Sequence, residues 1–84
     1  MKEEFYNLMK SQGFVSLRQF ARETGIPVGN VYSNLSGRWK LSIERAFIYA
    51  TTLGVPIDDV LEIFYEKEML ENNKAVIKKA MSDD

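Results

Sequence analysis

Short runs of helical periodicity, separated by glycines and capping serines, are the feature that most restricts how this sequence can fold. Ser16 and Ser42 each stand directly before an apolar stripe with helical spacing, where a serine hydroxyl can cap the first helical turn. Gly25 and Gly54 follow those two stripes, at the position where a helix often ends in the left-handed conformation. No segment alternates apolar and polar residues with a period of two. The sequence therefore predicts a small all-α bundle of short helices.

The periodicity predicts five helices. Their expected spans are residues 3–10, 17–24, 28–36 and 43–53, with a fifth helix starting at residue 57. The fourth is the most apolar, and its stripe of helical spacing includes Ile43 and Phe47. We therefore expect the fourth helix to be the most buried.

Composition excludes several function classes. The chain has 84 residues and contains neither histidine nor cysteine, so a Cys/His zinc site, a disulfide framework and a Cys or His catalytic centre are all excluded. The acidic pair Asp58 and Asp59 suits the first turn of a helix better than a metal site. The longest apolar run, from Ala46 to Ala50, is far shorter than a membrane span. We expect no enzyme, metal, cofactor or membrane association, and a cytoplasmic location.

Charge is distributed unevenly along the chain. The formal net charge is only −1, but residues 16–45 carry five basic and two acidic side chains. Residues 46–84 carry four basic and eight acidic side chains. A basic middle and an acidic end would direct one part of the molecule towards a polyanion.

The second and third predicted helices have the spacing of a helix-turn-helix unit. From Ser16 to Gly37 the sequence contains a cap, eight helical residues, a short turn led by Gly25 and a second short helix. Ala21 is small enough for the third helix to cross over it, and Val31 is placed to hold that helix against the core. The opposite face of the third helix would then be free to enter a DNA major groove.

These residues resemble the Cro/cI-type, or Xre-family, helix-turn-helix domain of phage repressors and related bacterial regulators. The resemblance covers about residues 5–65 and includes Ala21, the Gly25-Ile26 turn, Ser36-Gly37, the Ser42 cap and the run from Ala50 to Val55. It implies a five-helix, lambda-repressor-like domain. The base-facing candidates it implies are Val28, Gly29, Asn30, Ser33 and Asn34, and the DNA-backbone candidates are Ser16, Leu17, Arg18, Arg38 and Lys40.

The sequence departs from the family at the start of the third helix. Pro27 stands where a Ser or Thr cap is common, and Val28 and Gly29 stand where Gln or Arg often reads bases. A valine offers only methyl groups to thymine, whereas Asn30 and Asn34 can pair with adenine. These residues favour a half-site rich in A·T pairs. The sequence pI of about 5.4 also indicates weak non-specific binding to phosphates.

Two aromatic residues have alternative roles. Trp39 lies between Arg38 and Lys40, so its indole could lie along a sugar-phosphate backbone or fold back over the fourth helix. Tyr32 could reach a phosphate through its hydroxyl or cover the core beside Val31. We include both as DNA-backbone candidates.

We expect residues 66–84 to form a C-terminal helical extension beyond the domain of residues 1–65, either as a longer fifth helix or as a separate helix. Their apolar residues repeat at helical spacing and are candidates for a dimer or protein-partner interface: Met69, Leu70, Val76, Ile77 and Met81. A two-fold homodimer would set two recognition helices about 34 Å apart, one turn of DNA.

The function expected from the sequence is sequence-specific transcriptional regulation. The resemblance favours a Cro-like repressor of a phage or other mobile element, which binds a double-stranded DNA operator as a homodimer. The alternative is a protein-interaction module, such as an antitoxin or anti-repressor, that uses the same fold and its C-terminal tail. The basic segment favours the first function, whereas the acidic pI and apolar tail favour the second.

Overall fold

In a computed structural model that describes residues 2–65, the chain is all-helical, with five helices and no strand in that range. The helices are α1 (Glu3–Ser11), α2 (Leu17–Thr24), α3 (Val28–Leu35), α4 (Ile43–Leu53) and α5 (Ile57–Phe64). Within residues 2–65 no helix is both long and apolar enough to cross a bilayer. The interface candidates Met69, Leu70, Val76, Ile77 and Met81 lie outside the described residues.

Local capping explains where α2 and α4 begin and end. The hydroxyls of Ser16 and Ser42 accept hydrogen bonds from the backbone N–H of Gln19 and Arg45. Gly25 and Gly54 end the two helices with φ of 78° and 74°, in the left-handed region that favours glycine. The predicted spans of these two helices are confirmed.

A cluster of aromatic rings forms the centre of the core. Phe20 on α2 packs edge-on against Phe5 of α1 and against Phe14, with ring centroids 5.5 and 5.3 Å apart. Tyr49 of α4 contacts both Phe5 and Phe20 at 5.7 and 5.5 Å. Because α1, α2 and α4 all contribute rings, this cluster fixes how the three helices pack together.

The buried face of α4 differs from the prediction. The side chains it buries are Ala46, Tyr49, Ala50 and Leu53. Ile43 and Phe47 are instead 61% and 62% exposed, so the prediction that the apolar stripe of α4 is buried is wrong for these two residues. The reason is that α4 packs mainly on α5 and α2, and helical geometry turns Ile43 and Phe47 away from those contacts.

Glycine substitutions at the α2–α3 turn test the local account of the fold. Gly25→Ala should lower the free energy of unfolding by about 1 kcal/mol, because alanine tolerates the left-handed conformation poorly. Gly29→Ala is the matched control: it lies inside α3, and nothing lies within 4 Å of the added Cβ. That change should raise the free energy of unfolding by roughly 0.5–1 kcal/mol. Urea denaturation of both variants measures the two shifts, and equal effects at the two positions would contradict the account.

Candidate nucleic-acid interface

The α2–α3 unit begins with the cap at Ser16 and turns over three residues, Gly25, Ile26 and Pro27. The Oγ1 of Thr24 donates to the carbonyl of Ala21 and accepts from the N–H of Ile26, so it fixes the start of this turn. Ala21 and Val31 are both buried, as expected for residues on which the two helices meet. α3 is therefore held against the core by one side.

The side of α3 that faces solvent is formed by Val28, Gly29 and Tyr32, which we call the α3 face. Tyr32 is 48% exposed and lies one turn beyond Val28 on the same helical stripe. Asn30 is half-buried at the edge of this face. These four residues are the part of α3 that can meet a ligand.

Two of the base-facing candidates lie elsewhere. Asn34 is only 3% exposed, so the prediction that it faces DNA is wrong. Ser33 is 8% exposed, and its hydroxyl donates to the carbonyl of Gly29, within its own helix. This hydroxyl is therefore bonded to the backbone of its own helix and is not presented to a ligand. Of the five predicted base-facing residues, Val28, Gly29 and Asn30 remain accessible on α3. Tyr32 lies beside them on the exposed side of the helix.

The amide of Asn34 is the centre of a buried network with Arg45 and Tyr49, which we call the Asn34 network. Its Oδ1 accepts from the Tyr49 hydroxyl at 2.7 Å and from Arg45 Nη1 at 3.3 Å. Its Nδ2 donates to the backbone carbonyls of Trp39 and Lys40, both at 3.4 Å. All four hydrogen bonds link α3 to α4 or to the loop between them. Tyr49 and Arg45 were not among the sequence candidates.

The loop from Ser36 to Ser42, which joins α3 to α4, carries exposed basic side chains. Arg38 and Lys40 are exposed on both sides of Trp39, which is itself 46% exposed. The N–H of Trp39 donates to the carbonyl of Ser33 at 3.0 Å, which holds the loop to the end of α3. At the far end the Tyr65 hydroxyl donates to the carbonyl of Leu41 at 2.7 Å. The loop backbone is thus fixed although its charged side chains reach solvent.

An open cleft of about 310 Å³ lies beside this loop. Its lining residues are Asn34, Trp39, Lys40, Ser42 and Arg45. The cleft combines two cationic side chains with the first turn of α4, whose N-terminal N–H groups favour an anion. Because a guanidinium has five N–H donors, Arg45 can hold Asn34 and still present donors to the cleft.

The remaining backbone candidates lie at the start of α2. Arg18 is exposed in the first turn, next to the exposed Ser16 cap. Leu17 is half-buried and packs against the core, so its side chain is a structural contact and only its backbone is available to a ligand. Basic groups therefore occur both before and directly after α3 in the chain.

Burial shifts the pKa of the Tyr49 hydroxyl. Its pKa is raised from 10.0 to about 12 by burial, with Arg45 acting in the opposite direction. Between about pH 10 and 12 the unfolded chain releases a proton that the folded chain retains, so the free energy of unfolding falls as pH rises through that window. We expect denaturation midpoints to fall there, and Tyr49→Phe to reduce the fall. Tyr32→Phe is the control, and a Tyr49→Phe variant that falls as steeply as the wild type would contradict this assignment.

Comparison with known proteins assigns neither a family nor a function to this chain. A scan of protein-family models, a search of curated proteins and a search of solved structures each returned no match. Any functional conclusion therefore depends on the residues of this chain.

Proposed function

We propose that the protein is a sequence-specific DNA-binding transcriptional regulator, in which α2 and α3 act as a helix-turn-helix unit and α3 enters the major groove. The observation that carries the proposal is the exposed α3 face, preceded by Arg18 on α2 and followed by Arg38 and Lys40 in the next loop. An exposed helix face between basic segments is the arrangement in which phosphate contacts orient a recognition helix.

The α3 face suggests what would be read. Val28 offers methyl groups to a thymine, Gly29 permits close approach of the backbone, and Asn30 can pair with adenine. Tyr32, one turn along, is placed to contact the edge of the groove or a phosphate. With Asn34 buried, Asn30 is the asparagine left to read adenine, and the half-site expected is short and rich in A·T pairs.

The cleft beside the loop is the proposed phosphate site of each subunit. Lys40, Arg45 and the N-terminus of α4 converge on it, and Arg38 extends the cationic surface along the loop. Each subunit has only a few cationic side chains to contact phosphates, so useful affinity requires two subunits on one operator. We therefore propose a homodimer on a palindromic site, acting in the manner of a Cro-like repressor of a phage or mobile element.

Selection from a random DNA pool, followed by fluorescence anisotropy at several salt concentrations and by sedimentation, tests the proposal. The expected result is one enriched palindrome bound by two subunits with an affinity that falls steeply with salt. Equal and feeble binding to every sequence would refute sequence-specific recognition.

A second candidate function is a protein-interaction module, such as an antitoxin or anti-repressor. The observation that favours it is the exposed apolar pair Ile43 and Phe47 on α4, since exposed apolar side chains on one helix face are typical of protein contacts. Phe47→Glu separates the two functions. It should leave binding of a single operator half-site unchanged if DNA recognition is direct, and it should abolish partner binding in the alternative.

A further inference from the structure

We infer that Asn34 is a positioning residue for phosphate contact: it holds the backbone of the α3–α4 loop so that Arg38 and Lys40 are presented to DNA in one fixed arrangement. This inference rests on the proposed function. It assigns a role to a buried side chain that touches no ligand itself.

The geometry supports positioning rather than packing alone. Asn34 is the only side chain in the described residues whose hydrogen bonds reach both the carbonyls of the loop and the side chains of α4. Its Nδ2 donates to the backbone carbonyls of Trp39 and Lys40. Trp39 directly follows Arg38 in the chain, and Lys40 is itself one of the exposed cations. Its Oδ1 accepts from both the Tyr49 hydroxyl and Arg45 Nη1, so two donors on α4 set the direction of the amide.

Together with the bonds from the Trp39 N–H and the Tyr65 hydroxyl, the network holds a loop that has little apolar burial. From Ser36 to Lys40 every residue is exposed, and Leu41 is the first to be buried again. Loops of that kind lose order unless their backbone groups are held. Here the loop carbonyls are held by an amide that is itself part of the core. The cost of ordering the backbone that carries the cations is thus met in the free protein rather than on binding DNA.

The test uses two full-length variants that differ in one side chain. Tyr49→Phe removes a single hydroxyl, but Arg45 Nη1 still donates to Asn34 Oδ1, so the amide keeps its direction and its bonds to the loop. Asn34→Leu combined with Tyr49→Phe removes the amide as well, and the double change avoids leaving a buried hydroxyl without an acceptor. Leu53→Ala, which shortens a buried side chain at the far end of α4, controls for general loss of stability.

Two readouts separate positioning from stability. The first is the slope of log affinity against log salt for the selected operator. The double variant should lose about 0.9–1.8 of slope per subunit, the value of one or two phosphate contacts, and bind at least roughly tenfold more weakly at low salt. The second is amide hydrogen exchange of Trp39, which should accelerate in the double variant alone. Tyr49→Phe and Leu53→Ala should keep the wild-type slope while folded.

The outcomes distinguish the two proposals. A double variant with the wild-type slope and wild-type exchange at Trp39 would overturn the positioning role and leave DNA binding intact. A lower slope that also appears in Leu53→Ala would show a general stability effect and would overturn it too. Absence of salt-dependent DNA binding by the wild type would overturn the proposed function together with this inference.

Discussion

Phe20→Ala is expected to remove most of the stability of this domain. Phe20 is fully buried and its ring contacts Phe5, Phe14 and Tyr49, which belong to other parts of the chain. Truncating a buried Phe to Ala costs about 3–5 kcal/mol, because the cavity that remains adds to the transfer free energy of the removed atoms. Small domains have total stabilities near the lower end of about 5–15 kcal/mol. We therefore expect only about 0–2 kcal/mol to remain, so a measurable fraction is unfolded in buffer and low denaturant unfolds the rest.

Denaturant titration and thermal melting followed by circular dichroism measure this loss. Phe47→Ala is the matched control, since it removes the same side chain from an exposed position and should change the free energy of unfolding by less than about 0.5 kcal/mol. If the two alanine variants showed similar destabilisation, the assignment of Phe20 to the centre of the core would be wrong.

The second large effect is expected at the loop after α3. Removing both exposed cations with Arg38→Ala and Lys40→Ala should weaken operator binding by about a hundredfold or more per subunit at low salt, because each charge-assisted hydrogen bond to a phosphate contributes at least about 1.5 kcal/mol. The slope of log affinity against log salt should fall by about 1.8 per subunit for the two phosphates. Anisotropy with the selected operator measures both quantities.

A single-charge comparison makes the result specific. Lys10→Ala removes one exposed cation from the last turn of α1, outside the proposed interface, whereas Arg38→Ala removes one from the loop. Both lower the net charge by the same amount. Arg38→Ala should reduce affinity and slope, while Lys10→Ala should change either only slightly. Equal effects would mean that overall charge, not a located contact, governs binding.

Helix boundaries could be predicted because they depend on neighbours in the chain. The Ser16 and Ser42 hydroxyls bond to N–H groups three residues ahead, and Gly25 ends its helix by its own conformational freedom. The same local rules apply in an isolated segment as in the folded domain. The division of the chain into short helices with a three-residue turn that begins at Gly25 follows from such rules.

Orientation of side chains could not be predicted in the same way. The apolar spacing of α4 is satisfied by a stripe that contains Phe47 and equally by one that contains Tyr49, and only packing against α2 and α5 selects the second. When most of a helix is apolar, periodicity predicts that the helix has a buried face but not which residues form that face. Tyr49 was therefore not predicted as a core residue.

What the sequence by itself determined is the set of helices, the basic segment around α3 and the lack of histidine and cysteine chemistry, because each follows from residue identity and short-range spacing. Only the tertiary structure showed that Asn34 is buried against α4 and does not lie on the exposed face of α3. Its partners, Arg45 and Tyr49, lie 11 and 15 positions along the chain. A contact over that distance exists only after α4 has packed beside α3, so no local pattern can show which polar residue it will bury.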